Sequence, residues 1–203
     1  MDRNEALKLI ATHGYNVGYG GKKHFATYDI IEKIPGAISF ASIAFGILSL
    51  KYFSEALAGH VSVALTIFGV VSLYISFYAN QKEKYQEVGS QITRIYSDLQ
   101  SVYLTLKSNS SDIDKELEKA KGLMSEFYSI SITKQILLSD WYAHYKFFIQ
   151  TQIDWVDEQK NFGLFKDKIP RSFQLCALLV IVLFFYLLFP SLIEDVKTFF
   201  ICR

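Results

Sequence analysis

Cysteine is close to absent from this chain: its 203 residues carry two, Cys176 and Cys202. They give neither a disulfide framework nor a metal-ligand spacing. Cys176 sits inside an apolar run and reads as a small hydrophobe. Histidine is sparse as well. His13, His24, His60 and His144 lie far apart, and no carboxylate pair, ligand cluster or nucleophile with a neighbouring base assembles around them. The chain is therefore expected to be no enzyme, with no catalytic residue, metal or cofactor. An excess of one charge is also missing. Twenty-one basic residues stand against 20 acidic ones, a net charge of +1, which is no phosphate-neutralising surface, so direct nucleic-acid binding is not expected. Met1 to Lys33 holds no early apolar segment or small-residue cleavage site, so no cleavable leader is expected. Cys202, second from the end, does not fit the prenylation pattern.

What the chain has in quantity is apolar sequence: 51% of residues are hydrophobic and only 20% charged, a balance that suits a membrane protein with one polar region. Ile34 to Phe53 and Val61 to Ala79 are apolar runs separated by a break through Ser54, Glu55, Gly59 and His60. Each has about 20 residues, or roughly 30 Å of helix, the thickness of a bilayer's hydrocarbon core. Lys51, their only charge, lies near an end, where its amine reaches water. A third run, Phe173 to Ile193, is uncharged from Leu178 to Phe189. The expected fold is all-α: an integral membrane protein with an N-terminal transmembrane hairpin (34–79), a cytosolic long-helix bundle (80–172) and a C-terminal third transmembrane helix (173–193). A basic N-terminal segment (1–33) and a short tail (194–203) complete it.

Lys22, Lys23 and Lys33 precede the hairpin, and Lys82 and Lys84 follow it. The positive-inside rule then puts both hairpin ends and the bundle in the cytoplasm. The collar of Lys166, Lys168 and Arg171 does the same for the third span, leaving the C-terminus outside. Within the spans, Ser39, Ser42, Gly46 and Ser49 fall on one face of the first helix, and Ser62, Thr66, Gly69, Ser72 and Ser76 on one face of the second. Such stripes either pack helices closely in lipid or line a pore in an oligomer. No ionisable residue lies at mid-membrane, so a proton relay is not expected.

Outside the spans, Asp2 and Glu5 are spaced as a capping box for a short helix ending near Thr12. Gly14 to Lys23 reads as a flexible junction. Gly20, Gly21, Lys22 and Lys23 miss the phosphate-cradling Walker pattern, because Asn16 stands where it needs a glycine and Lys23 where it needs a hydroxyl. The second span is expected to run unbroken into a helix whose seam is Val88, Ile92, Ile95, Leu99, Val102 and Leu106. Ser111 and Asp114 would cap its antiparallel partner, with a seam of Ile113, Leu117, Ala120, Met124 and Phe127. A third helix is predicted from Thr133 to Lys160, with an aromatic stripe of Trp141, Tyr145, Phe148 and Trp155. The stripe reads as core, or alternatively as a stacking surface for a base beside Lys134, Lys146 and Lys160.

A basic segment, a two-helix hairpin and long cytosolic helices, in that order, resemble the SLATT family. These are the two-transmembrane effector domains associated with SMODS nucleotidyltransferases and SLOG sensors in bacterial conflict systems. The likeness is strongest at Gly18, Tyr19, Gly20, Gly21, Lys22, Lys23, His24, Phe25 and Ala26, running into Ile34, Pro35 and Gly36, and covers roughly residues 15 to 160. It implies an antiviral effector in the bacterial inner membrane, one that oligomerises and forms a pore or perturbs the bilayer, as in abortive infection. It also implies a trigger: a nucleotide signal from a partner synthase, or a partner reverse transcriptase. The alternative is a non-conducting membrane scaffold or sensor that recruits a cytosolic enzyme. The third span goes beyond the family's two-helix plan.

Overall fold

The computed structural model describes residues 1–108 and 112–188. Two compact units divide the chain, residues 1–161 and 162–203. In the first, α1 (Arg3–Tyr52) is one helix of 50 residues, followed by α2 (Glu55–Ser76), α3 (Lys82–Lys107), α4 (Ile113–Ile130), α5 (Ser139–Gln150) and α6 (Asp154–Lys160). The described residues are all-α, with no strand among them.

The N-terminus of α1 is set by the expected capping box. The Asp2 carboxylate accepts from the Glu5 N–H at 2.7 Å, and the Glu5 carboxylate accepts from the Asp2 N–H at 3.0 Å. The helix does not stop near Thr12, and Gly14 to Lys23 is not a flexible junction but the middle of α1. The glycines are there because aromatic rings from other helices lie on the helix surface. A Cβ on Gly14 would stand 2.1 Å from the Trp155 ring, one on Gly18 2.8 Å from both Phe147 and Tyr96, and one on Gly20 2.9 Å from Phe127. Four helical glycines cost roughly 4 kcal/mol in propensity. Burying each of these four aromatic side chains contributes roughly 1.5–3 kcal/mol, so packing outweighs propensity.

The first half of α1 is thus the axis of the body. Its buried face, Ala6, Leu7, Ile10, Ala11, Val17, Gly18 and Gly21, takes the expected seam of α3, whose six residues Val88, Ile92, Ile95, Leu99, Val102 and Leu106 are all buried. The two helices run antiparallel in constant register: Arg3 donates to the Leu106 carbonyl, Gly21 faces Ile92, Gly89 faces the Phe25 ring, and Lys82 pairs with Glu32. The α3 seam therefore serves α1 first, and α4 second through Ala120, Met124 and Phe127, which are also buried. Asp112, whose side chain accepts from the Asp114 N–H, caps α4. Ser111 lies outside the described residues.

Two further expectations are corrected. The second span does not run unbroken into α3. A tight 3-10 turn, Ala79–Gln81, separates them, and it turns Ile75 and Tyr78 into a small core with Ile31, Tyr85 and Ile136. The helix that does run unbroken from body to membrane is α1. Nor is there one helix from Thr133 to Lys160. Residues 131–138 are irregular, and the chain breaks again at Thr151 to Ile153 between α5 and α6. Ser129, Ile130, Ser131, Ile132 and Thr133 are all poor helix formers, and Leu138 takes a left-handed conformation at φ 67° just before α5.

In the second unit, a π-helical turn, Leu164–Lys168, leads to α7 (Arg171–Leu188). The Gln174 amide donates to the carbonyls of Phe165 and Ile169, tying the collar to the start of α7. The rest of the expected third span, the tail and Cys202 fall outside the described residues.

Gly14→Ala tests the packing of α1. Its methyl would collide with Trp155, so we expect a loss of about 1–3 kcal/mol. Gly122→Ala in α4, where nothing lies within 4 Å of the added carbon, is expected to gain up to about 1 kcal/mol. Thermal unfolding of both variants in detergent checks the opposite signs.

Candidate functional site

Two elements stand out as candidates, the hairpin and the loop where it joins the body. From Ile34 onward no residue of α1 is fully buried, and in α2 only Ile75 is. Phe40, Ile43, Ile47, Leu50, Val63, Val70 and Leu73 are each more than half exposed, an apolar surface that water does not tolerate and a bilayer does. Between the two helices, Ile38, Ser42 and Ser49 of α1 and Val61, Leu65 and Ser72 of α2 are half-buried. The predicted stripes therefore split. Ser42, Gly46, Ser49 and Ser72 are half-buried like the hairpin seam, while Ser39, Ser62, Thr66, Gly69 and Ser76 are exposed.

Most of these hydroxyls are satisfied by their own helix. Ser39 donates to the Pro35 carbonyl, Ser49 to Gly46, Ser62 to Ala58, Thr66 to Ser62 and Ser76 to Leu73, all between 2.7 and 2.9 Å. With its donor engaged, such a hydroxyl sits in lipid at little cost and keeps oxygen lone pairs for a neighbour. A Cβ on Gly46 or Gly69 would meet nothing within 4 Å. These glycines, unlike Gly14, Gly18 and Gly20, take no close contact from their own chain.

Where the hairpin joins the body, residues 131–138 form a clamp on three helices. His24, 3% exposed on α1, has Nδ1 2.8 Å from the Gly20 carbonyl, and its Nε2 accepts from the Ile132 N–H at 3.0 Å. That pair of contacts requires a neutral ring with the proton on Nδ1. Burial pushes the pKa of His24 down, and neighbouring Lys23 adds to the effect against the bond to Gly20. Thr27, fully buried, donates to Gln135, and Tyr85 of α3 donates to the Lys134 carbonyl. The Leu137 N–H donates to the Tyr74 hydroxyl of α2 at 3.2 Å. Asp29 lies close by, bound by Lys146 of α5 and, at 2.7 Å, by Lys33. Burial pushes its carboxyl up, but the bonds to Lys146 and Lys33 prevail and hold it below the usual carboxylate range.

Of the predicted basic motif, Gly20 and Gly21 carry ring and seam contacts and His24 anchors the clamp. Lys23 pairs with Asp140 at 2.7 Å. Lys22 is half-buried on a polar cleft with Thr93, Ser97, Gln100 and Gln152, and burial lowers its pKa. In the helix interior the backbone N–H groups of Gly20 and Gly21 serve the helix, which leaves no phosphate cradle. The aromatic stripe is only partly core: Trp155 is buried, Trp141 and Phe148 are half-buried and Tyr145 is 47% exposed. The buried face of α5 is Ser139, Ala143 and Phe147. Sequence reasoning missed Asp29, Gln135 and the whole clamp, and placed Tyr74 only in an aromatic belt at the span end, not on the clamp. The run of β-branched and serine residues after α4 was the available signal for a break there. Among the described residues, no group of three metal-ligating side chains exists.

An all-helical body carrying two apolar helices long enough to cross a bilayer defines the class, a membrane protein built on an apolar helical hairpin. The chain belongs to the SMODS and SLOG-associating 2TM effector domain 6 family (SLATT_6), whose model matches residues 1–177. The match ends shortly after α7 begins, so most of the third apolar helix lies beyond it. No curated protein and no solved structure matches the chain. Membership makes this an effector domain of the two-transmembrane kind, from a family named for association with SMODS and SLOG proteins.

The clamp carries a pH signature. Histidine in the unfolded chain titrates near 6.5 and buried His24 below it, so the folded state resists protonation. Stability is then full above 6.5 and falls as pH drops toward the folded value. His24→Gln, whose carbonyl can still accept from Ile132, is expected to flatten this fall. His13, also shifted down by burial, keeps a residual slope. Unfolding midpoints measured across pH 5 to 8 check it.

Proposed function

We propose that this protein is a membrane effector of a bacterial antiphage conflict system, set in the inner membrane with its N-terminus and helical body in the cytoplasm and its C-terminus outside. Copies assemble through the outward faces of their hairpins and open a pore or perturb the bilayer when a nucleotide signal or a partner enzyme, a synthase or reverse transcriptase, engages the body. The observation that carries this reading is the continuity of α1, which places the body's axis and the first span on one helix. A change in how α3 or α5 grips the first half of α1 is passed to the membrane without a joint to absorb it.

The exposed stripe of Ser62, Thr66, Gly69 and Ser76 on α2 supports assembly. It offers close approach at Gly69 and oxygen lone pairs from hydroxyls already bonded to their own backbone. A lumen formed by this stripe is polar enough to hold water and carries no charge that would fix a cation. Lys33 and Lys82, just outside the spans, keep the hairpin's ends at the cytoplasmic surface.

Thr66→Leu tests the pore. It removes a hydroxyl from the outward stripe and leaves the half-buried hairpin seam unchanged, so we expect normal membrane insertion with loss of ion flux in vesicles and of growth arrest with the partner. Unchanged flux would contradict a lumen at this stripe. A stable partner complex with no flux from the unaltered protein would favour the non-conducting scaffold.

A further inference from the structure

A cavity of about 700 Å³ in the first unit lies beside the clamp. That volume falls in the range of small-molecule sites, roughly 300–1,000 Å³. Its walls are Ile34 of α1, Val70, Val71 and Ile75 of α2, Ile136 of the clamp and Trp141 of α5. The polar groups that line it are Asp29, Lys33 and the tyrosines Tyr74 and Tyr142.

Two observations say what covers it. Ile34, Val70 and Val71 belong to the spans themselves, so the cavity is continuous with the surface that faces lipid. Leu137 and Leu138 on its wall are 70% and 54% exposed, with Leu138 held in the left-handed region. For a residue other than glycine that conformation costs roughly 1–3 kcal/mol. A loop that holds two leucines uncovered at such a cost is matched to an apolar phase. Charge selects the ligand further: Asp29 on the lining is already bound by Lys146 from behind it, so the carboxylate is neutralised without Lys33, whose amine, 65% exposed, is left to meet a second anion.

We propose that the cavity binds an acyl chain of an anionic phospholipid, with the chain along Ile34, Val71 and Ile136 and the phosphate at the Lys33 rim. The clamp that holds α1, α2 and α3 together then rests partly on lipid, and bilayer composition sets how firmly the hairpin is held. This inference rests on the membrane placement of the hairpin and not on pore formation, so lipid binding stands even where vesicles show no flux.

Trp141 lines the cavity, and Trp155, the other of two tryptophans, is buried against Gly14, roughly 20 Å or more away along α1. Titrating phosphatidylglycerol with brominated chains into the detergent-solubilised full chain therefore reads the site by quenching. The expected result is quenching that saturates at equimolar lipid, is absent in Trp141→Phe, and is lost when Val70→Phe or Val71→Phe fills the cavity. Lys33→Gln should shift the curve to higher lipid without removing the quench, and brominated phosphatidylcholine should bind more weakly than phosphatidylglycerol. No quenching of Trp141, or non-saturating quenching equal in both filled variants, would overturn the proposal.

Discussion

Everything in the first unit hangs on α1 being one helix through two solvents. Its first half is buried in protein, with rings pressed on its glycines, and its second half is apolar and largely bare of protein contact. Pro35 lies inside the helix close to the change. A proline there removes one backbone donor, and the Ser39 hydroxyl donates to the Pro35 carbonyl in the first exposed turn. The helix survives this because it is held on the body side by α3, α5 and the clamp, and on the membrane side by a medium in which an unmade backbone bond is more costly than in water.

Two kinds of glycine show how the two solvents are served. Gly14, Gly18 and Gly20 lie under aromatic rings, and a methyl at any of them would collide. Gly46 and Gly69 face open space. The first group fixes the tertiary structure of one chain, whereas the second leaves surface that only lipid or another chain fills. Three of the buried polar groups, His24, Thr27 and Asp29, gather on α1 near the clamp, each partnered, and their cost is offset only while the clamp stays closed.

What could be read from the sequence followed from periodicity and length. The capping box at Asp2, the six-residue seam of α3 and both apolar runs of the hairpin needed only local rules, and each is present. The misreadings come from places where distant residues decide. Gly14 to Lys23 has the composition of a linker, and nothing within it tells that Trp155 and Phe147 will cover it. The aromatic residues of α5 repeat on more than one helical face, so spacing alone did not single out Phe147 over Tyr145. The clamp is invisible because its anchors, His24 and Ile132, are separated by 108 positions. The family resemblance was legible in the motif around Lys22 and His24, whose glycines pack against α3 and Phe127 and whose His24 holds the clamp.

Amide hydrogen exchange on the full chain in lipid nanodiscs tests the continuity of α1 most directly. Gly18 to Gly21 should exchange as slowly as Ile10 and Ile31 on either side, with protection continuing into the span beyond Pro35. Fast exchange confined to the glycine stretch would mean two helices joined by a hinge, and body and hairpin would then move independently.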